Sequence, residues 1–187
     1  MIKVVGSTSS EELITSVRGV SLLTSPEVKP YEAAIIEIKE IDLSEIRPTT
    51  LYVLRQNLAF QRSLSSTLRE VGFDPLDLDG SLTLSGDNGN VGLIPPLVEI
   101  DPQYGPCLAD GAHRVYVGQQ AGRKVIRAIC IEGANPDYPL YAYPNNWDEI
   151  AEYDEVPKLK KYYREGNPAE LYRNISSLNG SALRTNQ

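Results

Sequence analysis

The chain has 187 residues, of which 41% are hydrophobic and 23% are charged, and its formal net charge is -7. That length is enough for one globular domain with a buried core. No apolar run reaches the roughly 18–20 residues that a membrane span needs, and the N-terminus lacks a basic region followed by an apolar one. The sequence therefore predicts a soluble, cytoplasmic protein with no membrane contact.

The scarce residues exclude several kinds of site. His113 is the one histidine, and Cys107 and Cys130 are the two cysteines. Zinc sites usually need three or four His or Cys ligands, so a zinc site is nearly excluded. Two widely spaced cysteines are not a disulfide framework, and we expect both to be buried thiols. The acidic balance disfavours binding to duplex DNA through its phosphates.

The first half of the chain predicts two strands, a helical segment and a hairpin. Residues 2–5 predict a short strand, followed by a loop or a short helix. The apolar and then alternating run at 33–41 predicts a buried strand. Leucines recur at helical spacing in 52–71, which predicts one or two helices that end at the following glycine. Residues 81–94 predict a hairpin that turns at 87–90.

The next segment predicts a compact unit of strand, strand, helix and strand. The strands are expected at 96–100, 107–110 and 124–131, and the helix at 112–121 ends before Gly122, a favoured C-terminal stop.

The composition changes beyond this unit. Residues 135–147 are rich in proline and tyrosine and cannot form a regular helix. After them the sequence predicts three short polar helices, at 147–153, 156–165 and 168–177, and a frayed tail at 181–187.

The segment Asp110-Gly-Ala-His-Arg114 carries the clearest chemical signal. A predicted strand ends at Asp110, Gly111 makes the turn, and a helix begins at about Ala112. Backbone N–H groups at a helix N-terminus favour an anion, and Gly111 allows a close approach because it has no Cβ. His113 and Arg114 lie in the first helical turn, where Arg114 can hold a phosphate through two parallel hydrogen bonds.

Taken alone, these residues leave two interpretations open. Asp110 could act as a base, as a metal ligand or simply as the cap of the helix. The glycine could be needed only for the turn, and a single histidine is often structural. The segment is therefore either a phosphate-binding turn with a basic pair and an acid, or an ordinary strand-to-helix connection.

The same pentapeptide, followed by Gly122, Lys124 and a predicted strand, resembles the signature of the ParB/sulfiredoxin superfamily. Members of that superfamily have Gly-x-x-Arg or Gly-x-His-Arg at a strand-to-helix turn. The resemblance implies a nucleotide whose phosphates meet this turn.

Segments upstream fit the same superfamily in order. Residues 41–48 resemble its opening strand and turn, residues 61–72 the helix that follows, and residues 95–98 the next strand. The resemblance extends over about 35–133. It implies an α/β fold of mixed α and β elements: a compact ParB/sulfiredoxin-like core with a small mixed sheet, flanking helices and a helical C-terminal extension.

The predicted organisation is one structural domain with three segments. These are an N-terminal strand and loop at 1–32, the ParB/sulfiredoxin-like core at 33–134, and an extension of aromatic loop and short helices at 135–187.

Differences from the branches of the superfamily narrow the expected activity. Sulfiredoxins have a nucleophilic cysteine where this chain has Ala112, so reduction of a sulfinic acid is not expected. Chromosomal ParB proteins have a more arginine-rich turn and additional DNA-binding and dimerisation domains, so a complete partition protein is not expected. Free-serine kinases have the sequence Asp-Gly-His-His-Arg at the turn and a Tyr/Trp-Pro segment later in the chain. Of the branches compared, this one is the most similar to residues 110–114 and 141–144.

The kinases also have a catalytic glutamate just ahead of the helix that corresponds to the one beginning here at Gln61 and Arg62. In this chain the preceding residues, 49–57, contain no carboxylate. Three alternatives remain open. In the first, Asp110 acts as the base. In the second, Glu40 or Glu45 moves into the site and acts as the base. In the third, the chain hydrolyses the nucleotide or merely binds it.

The resemblance implies a set of site residues. The catalytic group is expected to be Asp110, His113 and Arg114, with Asp110 also holding Mg²⁺. The residues expected to contact the nucleotide and its phosphates are Gly111, Ala112, His113, Arg114, Gln61, Arg62 and Lys124. The residues expected to form an aromatic substrate pocket are Tyr141, Tyr143 and Trp147.

Each of these assignments has a structural alternative. Gln61 and Arg62 could be an ordinary exposed pair, Lys124 could favour a helix C-terminus, and the aromatic residues could pack a C-terminal lid. A basic run at 158–164, next to Tyr162 and Tyr163, is interpreted as a solvated helix face rather than a nucleic-acid contact.

The function predicted from the sequence is a nucleotide-binding, ATP- or ADP-dependent phosphotransferase or NTPase. Its cofactors would be ATP or another nucleotide and Mg²⁺, and its partner a small hydroxyl-bearing acceptor. One alternative is a DNA-acting ParB-like protein, either a nuclease or a DNA binder. The other is a non-catalytic plasmid or phage module that binds a protein partner.

Overall fold

The computed structural model of the protein describes residues 2–86 and 89–178. The helices of this part are α1 (Ser10–Arg18), α2 (Arg55–Glu70) and α3 (Ala112–Gln120). Its strands are β1 (Lys3–Thr8), β2 (Ile35–Asp42), β3 (Tyr52–Leu54), β4 (Ser81–Gly86), β5 (Gly89–Leu93), β6 (Leu97–Asp101), β7 (Gly105–Asp110), β8 (Val125–Glu132), β9 (Ala142–Tyr143), β10 (Ala151–Tyr153) and β11 (Tyr162–Tyr163). The predicted mixed α/β class is confirmed.

A four-stranded mixed sheet with the order β2-β8-β6-β7 forms the centre of the fold. Strand β8 runs antiparallel to β2 and parallel to β6, and β7 returns antiparallel beside β6. The predicted unit of strand, strand, helix and strand is confirmed: it corresponds to β6, β7, α3 and β8. Because β7 ends at Asp110, the turn into α3 lies at one corner of this sheet.

Both faces of the central sheet are covered, which explains the long apolar run of β8. Side chains alternate along a strand, so Ile129 and Ile131 pack with α1 on one face. On the other face, Ile126 and Ala128 pack with Val115 of α3. A strand buried on both faces has a nearly continuous hydrophobic sequence.

Helix α1 forms in the segment where the sequence predicted a loop or a short helix. Ser9 and Glu12 form a capping box, in which the Ser9 hydroxyl accepts from the Glu12 backbone N–H and the Glu12 carboxylate accepts from the Ser9 N–H. Leu13 and Val17 are the buried residues of this helix. The Ser-x-x-Glu spacing is the sequence signal for its start.

A separate antiparallel sheet with the order β1-β4-β5 packs against α2. Leu64 and Leu68 of the helix contact Leu82 and Leu84 of β4. Strands β4 and β5 confirm the predicted hairpin, but residues 87 and 88 of its predicted turn lie outside the described residues. The predicted helical segment 52–71 is helical only from Arg55, because its first three residues pair with β10.

The three short helices predicted in the extension are wrong. Only single 3₁₀ turns form, at Trp147–Glu149, Pro168–Leu171 and Ile175–Leu178. Between them, Ala151–Tyr153 pairs with β3 and Tyr162–Tyr163 pairs with β9. Short helices are marginal in water without tertiary support, and here strand pairing satisfies the backbone instead. The predicted frayed tail, 181–187, lies outside the described residues.

The described part of the extension, residues 135–178, is called the C-terminal arm below. A buried ion pair joins it to the core: the Arg173 guanidinium donates from Nε to Glu99 Oε1 at 3.0 Å and from Nη2 to Glu99 Oε2 at 3.1 Å. The Glu99 carboxylate also accepts from the Tyr31 hydroxyl. Arg173 further donates to the carbonyl oxygens of Pro139, Leu171 and Tyr138.

The two cysteines are buried thiols, as the sequence predicted. Burial raises the pKa of the Cys107 thiol from its ordinary value of 9.0 to about 12 and also raises that of Cys130. A group with a raised pKa in the folded protein keeps its proton longer there than in the unfolded chain. The folded state then binds more protons at alkaline pH, so stability falls as pH rises.

We therefore expect the free energy of unfolding to show no thiol-linked change below pH 9 and to fall as pH rises from 9 towards 12. Urea unfolding measured at steps of pH checks this. Cys107→Ala removes one of the linked protons, so its stability should fall less steeply with pH than that of the wild type. Equal slopes for the two proteins would contradict the assignment.

Candidate functional site

A cleft of about 360 Å³ opens where the β7–α3 turn meets α2 and the C-terminal arm. Residues 108–114 form its floor. Asn57, Phe60 and Gln61 of α2 line one side, and Tyr141 and Lys161 of the arm line another. Cavities of this size are typical of small-molecule sites.

Gly111 determines the shape of the floor. It caps α3 with φ of +95°, a left-handed conformation that side chains other than glycine rarely adopt. A Cβ at this position would lie 3.3 Å from the Pro96 Cα and 3.4 Å from the Arg114 Nη2. The helix begins at Ala112, as predicted, and its first N–H groups have no partner within the helix. These donors lie at the floor of the cleft.

Arg114 lines the cleft but is 6% exposed, and its Nη1 donates to the Pro75 carbonyl oxygen at 3.3 Å. Burial lowers the pKa of the guanidinium to about 10, and the Asp110 carboxylate opposes this shift. The sequence predicted that Arg114 binds a phosphate through two parallel hydrogen bonds. In the structure one edge of the guanidinium holds a backbone carbonyl, while Nη2 lies against Gly111.

His113 is tied to the neighbouring strand. Its Nε2 accepts a hydrogen bond from the Leu54 backbone N–H at 3.1 Å and lies 3.5 Å from the Asn57 Nδ2. Because Nε2 acts as an acceptor, the ring proton of the neutral imidazole must be on Nδ1. This contact fixes the first turn of α3 against the start of α2, and it makes Nε2 unsuitable as a general base in this arrangement.

Seven of the residues singled out from the sequence line the cleft: Gln61, Asp110, Gly111, Ala112, His113, Arg114 and Tyr141. The remaining four do not line it. Arg62 is exposed on α2. Lys124 lies beyond the far end of α3, which is nine residues and therefore about 13 Å long.

Two of the predicted pocket aromatics have structural roles instead. Trp147 donates from Nε1 to the Ile46 carbonyl oxygen at 2.8 Å and packs against the core. Tyr143 lies under the Arg164 guanidinium, 4.7 Å from ring centroid to Cζ. Tyr141 is the one of the three predicted pocket aromatics that the fold brings to the cleft.

Sequence reasoning missed the lysines of the arm. Lys160 and Lys161 line the cleft, although their segment was interpreted as a solvated helix face. The Leu51 N–H donates to the Lys160 carbonyl oxygen at 2.9 Å, and the Lys161 Nζ donates to the Thr49 carbonyl oxygen at 3.2 Å. The run of three lysines followed by two tyrosines in 158–163 was the available signal, but it does not indicate which surface the segment contacts.

The threonines of the cleft were also missed. The chain at 46–50 runs along the edge of β7 that is not paired with β6, and there the Arg47 N–H donates to the Pro106 carbonyl oxygen. Thr49 therefore lies beside the floor, and its hydroxyl donates to the Leu108 carbonyl oxygen at 2.8 Å. No periodic pattern in this segment distinguishes it from an ordinary loop.

The charges around the cleft are predominantly positive. Among the described lining residues, the cationic side chains are Arg114, Lys160, Lys161 and Arg173, and Asp110 is the one carboxylate. The charge of Arg173 is offset by its pairing with Glu99. In a chain of net charge -7, this concentration of cations is local and favours an anionic ligand.

No group of three or more His, Cys, Asp or Glu side chains suited to a metal occurs in residues 2–86 and 89–178. A metal held by protein alone is therefore not indicated in that part of the chain. Mg²⁺ commonly binds through one or two carboxylates together with the phosphates of a substrate, and Asp110 suits that arrangement. Among the described helices, none combines the length and apolar character required to cross a membrane.

The comparisons with known proteins give one match. A family model described as the ParB CE domain matches residues 12–151 of the 187-residue chain. The match includes the floor of the cleft and the side formed by α2, and it ends before Lys160 and Lys161. No curated protein and no solved structure matches the chain.

Proposed function

Because the chain belongs to the ParB CE domain family, we propose that it binds a nucleotide in the cleft and transfers or hydrolyses its terminal phosphoryl group. The observation that carries this proposal is the meeting of the α3 N-terminus with Arg114, Lys160 and Lys161 in one cleft. Phosphoryl transfer depends mainly on positioning the phosphates and neutralising their charge. The free-serine-kinase branch stays a prediction from motif.

In this proposal the phosphates bind the N–H groups at the start of α3. The absence of a side chain on Gly111 allows their approach, and the lysines of the arm neutralise them from the opposite side. Lys161 is held in place because its Nζ donates to the Thr49 carbonyl oxygen and lies 5.2 Å from the Tyr141 ring centroid. Helix dipole, backbone donors and two ammonium groups thus act on the same anion.

Asp110 is the proposed base and the proposed ligand of Mg²⁺. The acceptor hydroxyl, or water, gives its proton to the Asp110 carboxylate as its oxygen attacks the terminal phosphorus. The bond from that phosphorus to the bridging oxygen breaks, and the nucleoside diphosphate leaves with the electron pair. His113 is a positioning residue in this scheme, since its Nε2 is engaged by the Leu54 N–H.

The binding part of the proposal is tested with ATP and with inorganic tripolyphosphate, each with Mg²⁺. Arg114→Met removes a buried cation beside the floor and is expected to weaken both ligands by roughly 10–100-fold, the size of a charged hydrogen bond. Lys124→Met, at the other end of α3, is the matched control and should leave both affinities unchanged. Isothermal titration measures them.

Two outcomes would contradict the binding proposal. One is no detectable binding of either ligand to the wild type, and the other is equal loss in the two variants.

The chemical part is tested with radiolabelled γ-phosphate. Asp110→Asn keeps the size of the side chain but removes the base, so turnover should fall by about 10²–10⁴-fold while tripolyphosphate binding without Mg²⁺ is retained. Phosphate transfer is measured with a panel of hydroxyl amino acids and with water alone. Unchanged turnover in the variant would exclude Asp110 as the base, and no turnover by the wild type would reduce the proposal to binding.

A further inference from the structure

Strand β2 forms one edge of the central sheet, and that edge is open. The sheet has the order β2-β8-β6-β7, and no strand within residues 2–86 and 89–178 pairs with the outer side of β2. The opposite edge of the sheet differs, because the chain at 46–50 runs along β7 and bonds to it. Alternate residues of an antiparallel strand bond to its neighbour, so the other residues of β2 direct their N–H and C=O groups outwards.

This edge is also long and regular. Strand β2 has eight residues, and all eight pair with β8 without a bulge. Exposed edges in natural proteins are often short or bulged, because a straight edge is a template for pairing with another chain. Neither feature is present in β2, so its side chains decide which strand can pair with it.

The outward side chains of β2 carry two opposite charges on one face. Because side chains alternate along a strand, Glu37 and Lys39 share this face with Ile35 and Ile41. The two charged side chains are 57% and 51% exposed, and Ile35 is 62% exposed. A charge on an edge normally discourages pairing, since it repels a like charge on the incoming strand. A glutamate and a lysine two positions apart suit a reversed copy of the same strand, because each can lie opposite the other.

Symmetry restricts how β2 can meet its own copy. Two copies that extend one sheet through an antiparallel pair are related by a twofold axis perpendicular to the sheet, so one residue lies opposite itself. With Ile38 at that position, Glu37 lies opposite Lys39 twice, and Ile35 lies opposite Ile41 twice. Moving the centre by one residue places Glu37 opposite Glu37, or Lys39 opposite Lys39, where like charges repel.

We propose that two copies of this chain associate through their β2 strands, antiparallel and centred on Ile38, so that the two four-stranded sheets become one sheet. The outward backbone groups of β2 then find partners, and the two charge pairs set the register. The other face places Glu40 opposite Ile36, which already packs with α1, so the register depends on the charged face. Residues 35–42 do not line the cleft, and the association therefore needs no ligand.

Sedimentation equilibrium of the full chain, from about 1 to 300 µM, tests the proposal, because one strand pair makes a small and weak interface. Lys39→Glu places a glutamate opposite Glu37 at two points and should weaken the dimer by at least about tenfold. The double variant Glu37→Lys, Lys39→Glu exchanges the charges and should restore the wild-type Kd. Both side chains are more than half exposed, so each variant should keep the wild-type Tm.

Lys3→Glu is the matched control. It makes the same change in net charge at an exposed position of β1, another strand at the edge of a sheet. Its dimer should have the wild-type Kd.

Cross-linking reports the register directly. In Ile38→Cys the two new thiols lie opposite each other, where Cα atoms are about 4.5–5.5 Å apart, so mild oxidation should give a covalent dimer. In Glu40→Cys, on the same face, the thiols would be four residues apart along the strands, roughly 13 Å, and no disulfide should form. Both native cysteines are buried.

Each contrary result overturns the proposal. These results are a wild type that stays monomeric over the whole range, a Lys39→Glu variant that dimerises as the wild type does, and a double variant that does not recover the dimer. A covalent dimer from Glu40→Cys but not from Ile38→Cys would also overturn it, because the strands would then pair in another register. None of these results bears on ligand binding in the cleft.

Discussion

Replacing Arg173 with alanine is expected to destabilise the fold by about 3–5 kcal/mol, because it leaves a buried carboxylate without its cation. Glu99 is 4% exposed and Arg173 is 9% exposed. Their bidentate pairing, with three further carbonyl oxygens on the guanidinium, joins the arm to β6. For a chain of this length the loss corresponds to a fall in Tm of roughly 10 °C, measurable by calorimetry without ligand.

A surface pair supplies the control for Arg173. Arg55 contacts Asp154 at 2.7 Å, but the two side chains are 54% and 79% exposed. Arg55→Ala should therefore change stability by no more than about 1 kcal/mol. A similar Tm for the two alanine variants would show that the buried pair does not hold the arm.

Removing both charges of the Glu99–Arg173 pair should lower the free energy of unfolding by less than removing Arg173 alone. In a Glu99→Leu, Arg173→Met double variant no unpaired ion remains, and such replacements are often neutral or stabilising. The remaining loss would come from the Tyr31 hydroxyl, which loses Glu99 as its acceptor, and from the carbonyl oxygens, which lose Arg173 as their donor. A double variant less stable than Arg173→Ala would contradict this account.

The second large effect is expected at the floor of the cleft. Gly111→Ala places a side chain in a left-handed conformation, which costs about 1–2 kcal/mol, and brings its Cβ to 3.3 Å from the Pro96 backbone. The turn must then shift, and the first N–H groups of α3 move with it. In the proposed reaction, a displacement of about 1 Å is expected to lower turnover roughly 100-fold, and the proposed affinity for tripolyphosphate should fall with it.

Gly122→Ala is the matched control at the other end of the same helix. Gly122 also has a left-handed φ, of +77°, but a Cβ there would meet no described atom within 4 Å. This variant should have a lower free energy of unfolding because of the strained backbone, but its ligand binding should be unchanged. Equal effects of the two variants on binding would show that the floor is not a ligand site.

Short-range features of this fold could be predicted from the sequence. The apolar run of β8 and the glycine between β7 and α3 depend on local periodicity and on backbone conformation, so the strand, the turn and the helix were all predicted. The capping box of Ser9 and Glu12 is equally local. Family membership followed from the same pentapeptide and its upstream segments.

The arm illustrates what local patterns leave open. Its polar, proline-broken segments suggested helices, but pairing with β3 and β9 decided the backbone. Trp147 and Tyr143 were interpreted as pocket residues because they are aromatic, yet each packs on a structural partner. Burial of an aromatic side chain depends on what packs against it, and that information is spread over distant segments.

The single histidine and the net charge of -7 show the same division between sequence and tertiary structure. The sequence by itself determined where the histidine lies: in the turn that begins α3. Only the tertiary structure decided that its Nε2 binds the Leu54 N–H, and that Lys160 and Lys161 meet Arg114 across one cleft. Local hydrogen bonding forms the turn, whereas the charges that surround it come from segments almost fifty residues apart and converge only through packing.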